Sequence, residues 1–205
     1  MTDNFNYIAA DHTPHHFYTA PHVIEALTRI QLPRLKILDL GCGNGSFIDL
    51  INKPDWHFDG IDESSSGIEV ARKSFPHSRF FLSDLYHLPD EVMPHSYDVV
   101  ISIGVIEHLY YPGKLLEVAK KSLKRNGLII LMCPYHGYFK NLALALSGKM
   151  DRHFSALDDG GHIKFFSVNT LTGLMTKNGF VDLQFRFAGR FPLLWKSMIC
   201  WARCP

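Results

Sequence analysis

The sequence predicts a single α/β domain built around a largely parallel sheet. Short apolar runs rich in β-branched and aromatic residues alternate with amphipathic helical patterns, an order typical of parallel strands joined by crossover helices. The chain has 205 residues, of which 46% are hydrophobic, so it can bury one sizeable core. No stretch approaches the roughly 18 uninterrupted apolar residues of a membrane-spanning helix, and we expect a cytoplasmic protein.

Five strands are expected in the first two thirds of the chain. They are KILDL at 36–40, HFDGID at 57–62, RFFLS at 79–83, YDVVISI at 97–103 and GLIILMCP at 127–134. The last run is apolar almost throughout, which predicts a central strand buried on both faces. A helix is expected over 112–127, because Pro112 stands near its start and Gly127 follows its basic end.

The regular alternation stops after residue 134. Residues 135–165 are typical of a helix followed by a loop rich in Gly and Asp. They leave the carboxyl end of a strand, where ligands of open α/β sheets bind, so we expect a lid-like insertion over a substrate. A helix near 167–179 and two strands, at 180–189 and about 194–202, then resume the alternation.

These boundaries divide the single domain of residues 1–205 into four segments. Residues 1–34 are expected to form an N-terminal helical cap, 35–134 the cofactor-binding half, 135–165 the insertion and 166–205 the C-terminal strands. The run RFPLLWKSMICWA in the last segment could contact a membrane surface through its Trp and Lys residues. Its alternation favours a buried edge of the sheet instead, and we expect no membrane contact.

Charge and cysteine content narrow the function. The 21 basic and 20 acidic residues give a net charge of +1 with no long run of either sign. This balance disfavours a nucleic-acid-binding surface and leaves small-molecule chemistry as the better expectation. The cysteines are too few and too scattered for a disulfide framework or a zinc site, which fits a reducing compartment. They are Cys42, Cys133, Cys200 and Cys204.

The stretch KILDLGCGNGSF, residues 36–47, carries glycines at alternate positions directly after a strand. Such spacing indicates a ligand held close to the backbone. A dinucleotide fingerprint would need a third glycine where Ser46 stands, and Asp39 would lie beside the pyrophosphate, which is unfavourable. A zwitterion satisfies both features, because its cation suits Asp39 and its carboxylate suits the N–H groups at the start of the next helix.

Two further acids follow the next two predicted strands. Asp62 closes the strand at 57–62, where an acid is well placed to accept hydrogen bonds from ribose hydroxyls. Asp84 follows the strand at 79–83 and could accept from an adenine amino group, or it could simply cap the turn. S-adenosylmethionine has a zwitterionic head, a ribose and an adenine, and it fits all three positions.

The motifs LDLGCGNGSF, FDGID, LSDLYHLP, YDVVISIGVIEHL and LKRNGLIILMCP resemble those of the class I S-adenosylmethionine-dependent methyltransferases. The resemblance of these motifs implies a Rossmann-like three-layer sandwich with a seven-stranded sheet of order 3-2-1-4-5-7-6 and one antiparallel strand. It also implies S-adenosylmethionine as the cofactor. The implied binding residues are Asp39 with the glycines Gly41, Gly43 and Gly45 for the methionine part, Asp62 for the ribose, Asp84 with Leu85 for the adenine, and Ile103 along the ligand. Cys42 and Glu63, beside them in the sequence, are also expected to bind the cofactor.

Within this family, GVIEHL and GGHIKFFS resemble the branch of ubiquinone-pathway O-methyltransferases. That branch has an additional Glu, implicated in metal binding, where this sequence has Gly104. We therefore expect no metal. Glu107 and His108 follow a strand whose end should face the transferable methyl group, and we expect His108, oriented by Glu107, to act as a general base. His162 in GGHIKFFS is the second candidate.

The N-terminal histidines could suggest a metal site, but no Cys or paired acid completes a familiar ligand set. They are His12, His15, His16 and His22. We expect them to form a polar cap over the cofactor. The sequence thus favours methyl transfer to an oxygen or nitrogen of a small molecule. A non-catalytic S-adenosylmethionine-binding module, a nucleic-acid methyltransferase and a dehydrogenase remain the alternatives.

Overall fold

The structure is a computed structural model that describes residues 6–154 and 156–205. Its strands form one sheet of order β3-β2-β1-β4-β5-β7-β6, as predicted. Strands β1 to β5 are parallel where they pair, and β7 runs antiparallel to both β5 and β6. The strands are β1 (Leu35–Leu40), β2 (Trp56–Asp62), β3 (Arg79–Leu82), β4 (Tyr97–Ile103), β5 (Leu123–Pro134), β6 (Val181–Ala188) and β7 (Ser197–Arg203).

Helices cover both faces of the sheet. They are α1 (Pro14–Thr28), α2 (Ser46–Ile51), α3 (Ser65–Ser74), α4 (Pro112–Ser122), α5 (Tyr138–Leu146), α6 (Met150–Phe154) and α7 (Val168–Lys177), with a 3₁₀ helix at Ile106–His108. The start of α7 carries a reciprocal cap between Ser167 and Thr170. None of the described helices combines the length and apolarity that crossing a membrane requires.

Alternate residues of the central strands face opposite layers, which gives the predicted three-layer sandwich. Val100 of β4 packs in a cluster with Leu116 of α4 and Leu171 of α7. Its neighbour Val99 packs in the opposite cluster with Val23 of α1, and α2 and α3 contribute to the same layer. The strands are therefore apolar on both faces, which explains their continuous hydrophobic runs.

The predicted helix over 112–127 is too long. The α-helix ends at Ser122, and strand β5 begins at Leu123, which pairs with Tyr97 of β4. Asn126 then has a φ of 61°, a left-handed conformation that a helix cannot contain. Helical periodicity continued past the boundary, but pairing with the neighbouring strand prevails there.

The place of the last strand is confirmed, but it is not an edge of the sheet. Strand β7 lies between β5 and β6, as the predicted order requires, so it is an inner strand, and β6 forms the edge. The residues of β7 are buried from Ser197 to Ala202. Within the insertion, helix α5 is confirmed, whereas the short helix α6 was not predicted because its residues carry no clear apolar stripe.

Candidate functional site

The carboxyl ends of β1 to β4 meet at one edge of the sheet, where the predicted cofactor residues lie. The backbone N–H groups of Gly41 and Cys42 both donate to the carbonyl of Ile61, at 2.8 and 3.1 Å, and fasten the glycine loop to β2. The N–H of Ser83 donates to the carbonyl of Asp62 at 3.0 Å and aligns the end of β3. The topology therefore brings together Asp39, Gly41, Cys42, Gly43, Gly45, Asp62, Glu63, Asp84, Leu85 and Ile103.

Two glycines of the loop occupy conformations and spaces that exclude a side chain. Gly41 has a φ of +83°, and a Cβ there would lie 2.4 Å from Cγ2 of Val105. Gly43 has a φ of +52°, and its Cβ would lie 2.7 Å from the hydroxyl of Tyr7. These two glycines thus permit a close approach of the loop to its neighbours.

Asp39 is a buried acid with one carboxyl oxygen unsatisfied by the described residues. Its side chain is only 2% exposed, and among the described residues no group hydrogen-bonds to its Oδ1 atom. Burial, with a smaller contribution from Asp62, raises the pKa of Asp39 to about 8. A buried carboxyl oxygen is rarely left unsatisfied, so this atom fits the ammonium group of a zwitterionic ligand.

Asp62 is held firmly at the end of β2. Its Oδ2 accepts a hydrogen bond from the N–H of Gly43 at 2.7 Å, and its Oδ1 accepts one from the N–H of Ser64 at 2.8 Å. The hydroxyl of Ser64 accepts in turn from the N–H of Gly67 and caps α3. Because each carboxylate oxygen can accept more than one hydrogen bond, this arrangement is compatible with ribose recognition.

Asp84 caps the turn after β3. Its Oδ1 accepts from the N–H of Tyr86 at 2.7 Å and lies 3.0 Å from Nδ1 of His87. This is the simpler of the two roles that the sequence left open, and adenine contact stays a prediction. Leu85 and Ile103, each 7% exposed, provide apolar surface near the same edge.

The N-terminal segment is tied over the glycine loop. The side-chain amide of Asn44 donates to the carbonyls of Ala9 and Asp11, at 2.9 and 3.1 Å. The N–H of Tyr7 donates to the hydroxyl of Ser66 at 3.1 Å. Tyr7 and Asn44 are not among the residues predicted from the sequence, although the position of Asn44 between two glycines of the loop is a usable signal. Residues 1–5 of the predicted cap lie outside the described residues.

The N-terminal histidines lie close together in and before α1. The rings of His15 and His16 are 4.7 Å apart, and those of His12 and His16 are 6.1 Å apart. Burial and the two neighbouring imidazoles lower the pKa of His16 to about 3, so it is neutral at physiological pH. His22 faces the carboxylate of Glu25 at 4.0 Å.

The candidate catalytic residues come together at the end of β4. The N–H groups of Ile163 and Lys164 both donate to the carbonyl of Glu107 at 2.9 Å, which brings the loop after α6 onto the 3₁₀ helix. The rings of His108 and His162 are 4.8 Å apart in an edge-to-face arrangement. The structure therefore joins two motifs that are distant in the sequence.

His108 has a described hydrogen-bond partner in the backbone. Its Nδ1 lies 2.8 Å from the carbonyl oxygen of Gly160, to which it donates, and orientation by Glu107 stays a prediction. Glu107 is 2% exposed, and burial raises its pKa to about 8. Its Oε1 lies 3.9 Å from Nε2 of His162, and no described group hydrogen-bonds to its Oε2.

The same three residues form a possible ligand set. Glu107, His108 and His162 each offer one ligand atom, and these atoms lie within 4.8 Å of one another. One carboxylate and two imidazoles suit a divalent transition metal. At Gly104, where the resembled branch has a further Glu, Nε2 of His15 lies 3.3 Å from the position that a Cβ would take. An imidazole therefore borders this position.

A family model described as "Methyltransferase domain" matches residues 11–184. The chain belongs to the methyltransferase-domain family. The matched range includes the glycine loop, the acids after β2 and β3, and both halves of the histidine site. The predicted resemblance to class I S-adenosylmethionine-dependent methyltransferases is thus confirmed at the level of the family, and the cofactor of this methyltransferase domain is S-adenosylmethionine.

Curated relatives are similar over parts of their length. A ubiquinone biosynthesis O-methyltransferase from Bradyrhizobium diazoefficiens is 29% identical over 115 residues, which cover 56% of this chain and 45% of that protein. A ubiquinone/menaquinone biosynthesis C-methyltransferase from Campylobacter jejuni is 26% identical over 183 residues, 80% of this chain and 73% of that protein. The methyltransferase domain thus spans about half the length of the first of these relatives.

Solved structures share the fold of this methyltransferase domain. Magnesium protoporphyrin IX methyltransferase from Synechocystis, solved with bound S-adenosylhomocysteine, is 19% identical, with a TM-score of 0.71 over 93% of this chain and 84% of that one. The YcgJ protein of Bacillus subtilis is 16% identical, with a TM-score of 0.69 over 92% of this chain and 98% of that one. At these identities the likeness concerns the fold.

Proposed function

We propose that the protein transfers the methyl group of S-adenosylmethionine to a hydroxyl, or alternatively to a nitrogen, of a small-molecule acceptor. The observation that carries this proposal is the adjacency of two sites on neighbouring strands. Asp39 of β1 pairs with Ile101 of β4, so the buried acid and the histidine site after β4 occupy the same edge of the sheet. One binds the cofactor, and the other receives the acceptor.

In this proposal each cofactor residue has a defined task. Asp39 accepts a hydrogen bond from the ammonium group of the methionine part, and the glycine loop lets the backbone approach it. Asp62 accepts hydrogen bonds from the ribose hydroxyls. Asp84 and Leu85 border the adenine.

The sulfonium is already an activated methyl donor, so catalysis requires mainly an in-line approach of the acceptor in a dry pocket. His108 donates its Nδ1–H to Gly160, which leaves Nε2 as the basic nitrogen. Nε2 would then take the proton of the acceptor hydroxyl as that oxygen receives the methyl group. His162 is the second candidate base, but its partial burial and the neighbouring His108 lower its pKa, which weakens it in this role.

We propose further that residues 135–165 are a lid over the acceptor. The loop after α6 reaches the 3₁₀ helix through Gly160, Ile163 and Lys164, so any motion of the insertion would change the surroundings of His108. Gly148 and Gly160 have positive φ values of 65° and 78° and supply possible hinges. Closure would exclude water from the transfer step.

Two measurements test the proposal. Calorimetry should show binding of S-adenosylmethionine and S-adenosylhomocysteine but not of NADH, which separates it from the dehydrogenase hypothesis. Incubation with labelled S-adenosylmethionine and a metabolite extract should then give a labelled small molecule identifiable by mass. Binding without transfer to any metabolite would favour the non-catalytic module, and label recovered only in RNA or DNA would favour a nucleic-acid methyltransferase.

The role of a metal is tested in the same assay. Because Gly104 replaces the additional acid of the resembled branch, we expect EDTA to leave turnover unchanged. Loss of turnover with EDTA, restored by a divalent cation, would instead assign Glu107, His108 and His162 to a metal site.

A further inference from the structure

Helix α5 places a lysine inward and its apolar residues outward. Lys140 is 6% exposed, whereas Tyr138, Phe139 and Leu146 of the same helix are 74%, 55% and 81% exposed. A buried ammonium group is costly unless hydrogen bonds or an opposite charge compensate it. An inward lysine on a helix whose apolar side chains face outward is therefore a feature that the fold alone does not explain.

The described residues around Lys140 compensate the cost of burying its charge only in part. Its Nζ donates one hydrogen bond, to the carbonyl of Tyr135 at 2.7 Å, although an ammonium group has three donors. Within residues 6–154 and 156–205, no carboxylate forms an ion pair with it. Burial and the nearby Arg190 lower its pKa to about 8, so the group is still largely charged at pH 7.

The groups around this lysine are basic. His136 is 6% exposed, and its side chain contacts that of Asn141. Burial, with smaller contributions from Lys140 and His153, lowers the pKa of His136 to about 4, and the hydrogen bond with Asn141 acts in the opposite direction. An ammonium group and two imidazoles thus share one small region in which no acid among the described residues forms an ion pair with the lysine.

This region adjoins the proposed catalytic site and contains aromatic side chains. The ring of His136 stacks on that of Phe154 at 5.9 Å and meets that of Phe165 edge-on at 5.1 Å. The N–H of His136 donates to the carbonyl of Phe166 at 3.0 Å, which joins the end of β5 to the segment that carries His162. A ligand here would therefore lie beside the acceptor position.

We propose that Lys140 and His136 bind a carboxylate of the methyl acceptor, so that the enzyme acts on a small anionic molecule. This inference rests on the proposed function and specifies its substrate class. The ammonium group and the imidazole can each donate a hydrogen bond to a carboxylate oxygen, and the nearby Arg190 adds positive charge to the region. The neighbouring aromatic rings suit an apolar skeleton that carries the carboxylate.

The experiment uses two probes of the same shape and different charge, benzoate and benzamide. Their binding to the full chain is measured by calorimetry, with and without saturating S-adenosylhomocysteine. We expect benzoate to bind at least tenfold more tightly than benzamide. Lys140→Met should weaken benzoate binding by about 10- to 100-fold, the range for losing a hydrogen bond to a charged group. Lys149→Met, which removes the same charge from an exposed position, should leave it unchanged.

His136→Gln provides a second variant in case Lys140→Met does not fold, and it should weaken benzoate binding several-fold. Benzoate that binds no more tightly than benzamide, including no binding of either, overturns the proposal, as does equal affinity in Lys140→Met and Lys149→Met. Failure of S-adenosylhomocysteine to bind would refute the proposed function separately, because the benzoate measurement without it still reports on the pocket.

Discussion

The buried carboxyl of Asp39 leads to a prediction about stability and pH. In the free protein at pH 7, burial keeps this carboxyl largely protonated, because its pKa is raised from 3.8 to about 8. The unfolded chain has it ionised, so folding takes up a proton. The contribution of this group to stability is therefore complete below pH 4 and is lost as the pH rises through 8.

The magnitude follows from the two pKa values. At about 1.4 kcal/mol per pH unit, the interval from 3.8 to pH 7 corresponds to about 4 kcal/mol of lost stability. Asp39→Asn removes this cost but buries an amide whose partners are incomplete, at about 1 to 3 kcal/mol. We expect the free energy of unfolding of the variant to exceed that of the wild type by about 1 to 3 kcal/mol at pH 7.

Urea unfolding of the ligand-free proteins, followed by tryptophan fluorescence at several pH values from 5 to 8, measures the difference. The advantage of Asp39→Asn should grow with pH, while the exposed control Asp55→Asn should follow the wild type at every pH. Glu107 contributes a similar pH dependence to the free energy of unfolding of all three proteins, so its contribution cancels when they are compared. Parallel pH profiles for Asp39→Asn and the wild type would show that Asp39 is ionised in the free protein, and the reasoning would fail.

Four further outcomes are expected. Asp62→Ala should weaken S-adenosylhomocysteine binding by about 10- to 100-fold in calorimetry, and unchanged affinity would remove the ribose assignment. His108→Gln should lower turnover by about 10²- to 10⁴-fold while its affinity for the cofactor stays within a few-fold of the wild-type value. Turnover at the wild-type rate would show that His108 has only a structural role. Gly41→Ala should lower the free energy of unfolding by roughly 2 to 4 kcal/mol, because it combines a left-handed backbone with a steric clash; an unchanged urea midpoint contradicts this. Limited proteolysis should cut residues 138–161 first in the free protein and more slowly with cofactor and acceptor bound, and equal rates would indicate a static insertion.

The sequence was sufficient for the parts of the fold that depend on local pattern. The apolar runs identified the central strands β1, β4 and β5, because strands buried on both faces leave a continuous hydrophobic signal. The assignment of the cofactor edge to the glycine loop and Asp39 rests on a similarly local pattern and stays a prediction. The order of the strands came from the resemblance to a family, since alternation alone does not fix which strand lies beside which.

The features that the sequence did not predict depend on contacts between residues that are distant in the chain. His108 donates a hydrogen bond to the carbonyl of Gly160, 52 residues away, and no local pattern indicates that pairing. The helix sequence YFKNLALAL carries apolar residues on most of its surface, so the pattern could not show that Lys140 points inward. The proximity of the His15 imidazole to Gly104 could not be predicted either, because it depends on how α1 packs across the sheet.

The place of β7 between β5 and β6 imposes an order on folding. Strand β6 pairs only with β7 in the described sheet, so it cannot join until the later strand has been synthesised and inserted. Until then, the fully buried backbone of β5 from Ile129 to Leu131 presents an open edge, which is a template for pairing with another chain. Substitutions that weaken β7 are therefore expected to cause aggregation during synthesis, even where the cofactor edge on the other half of the sheet is intact.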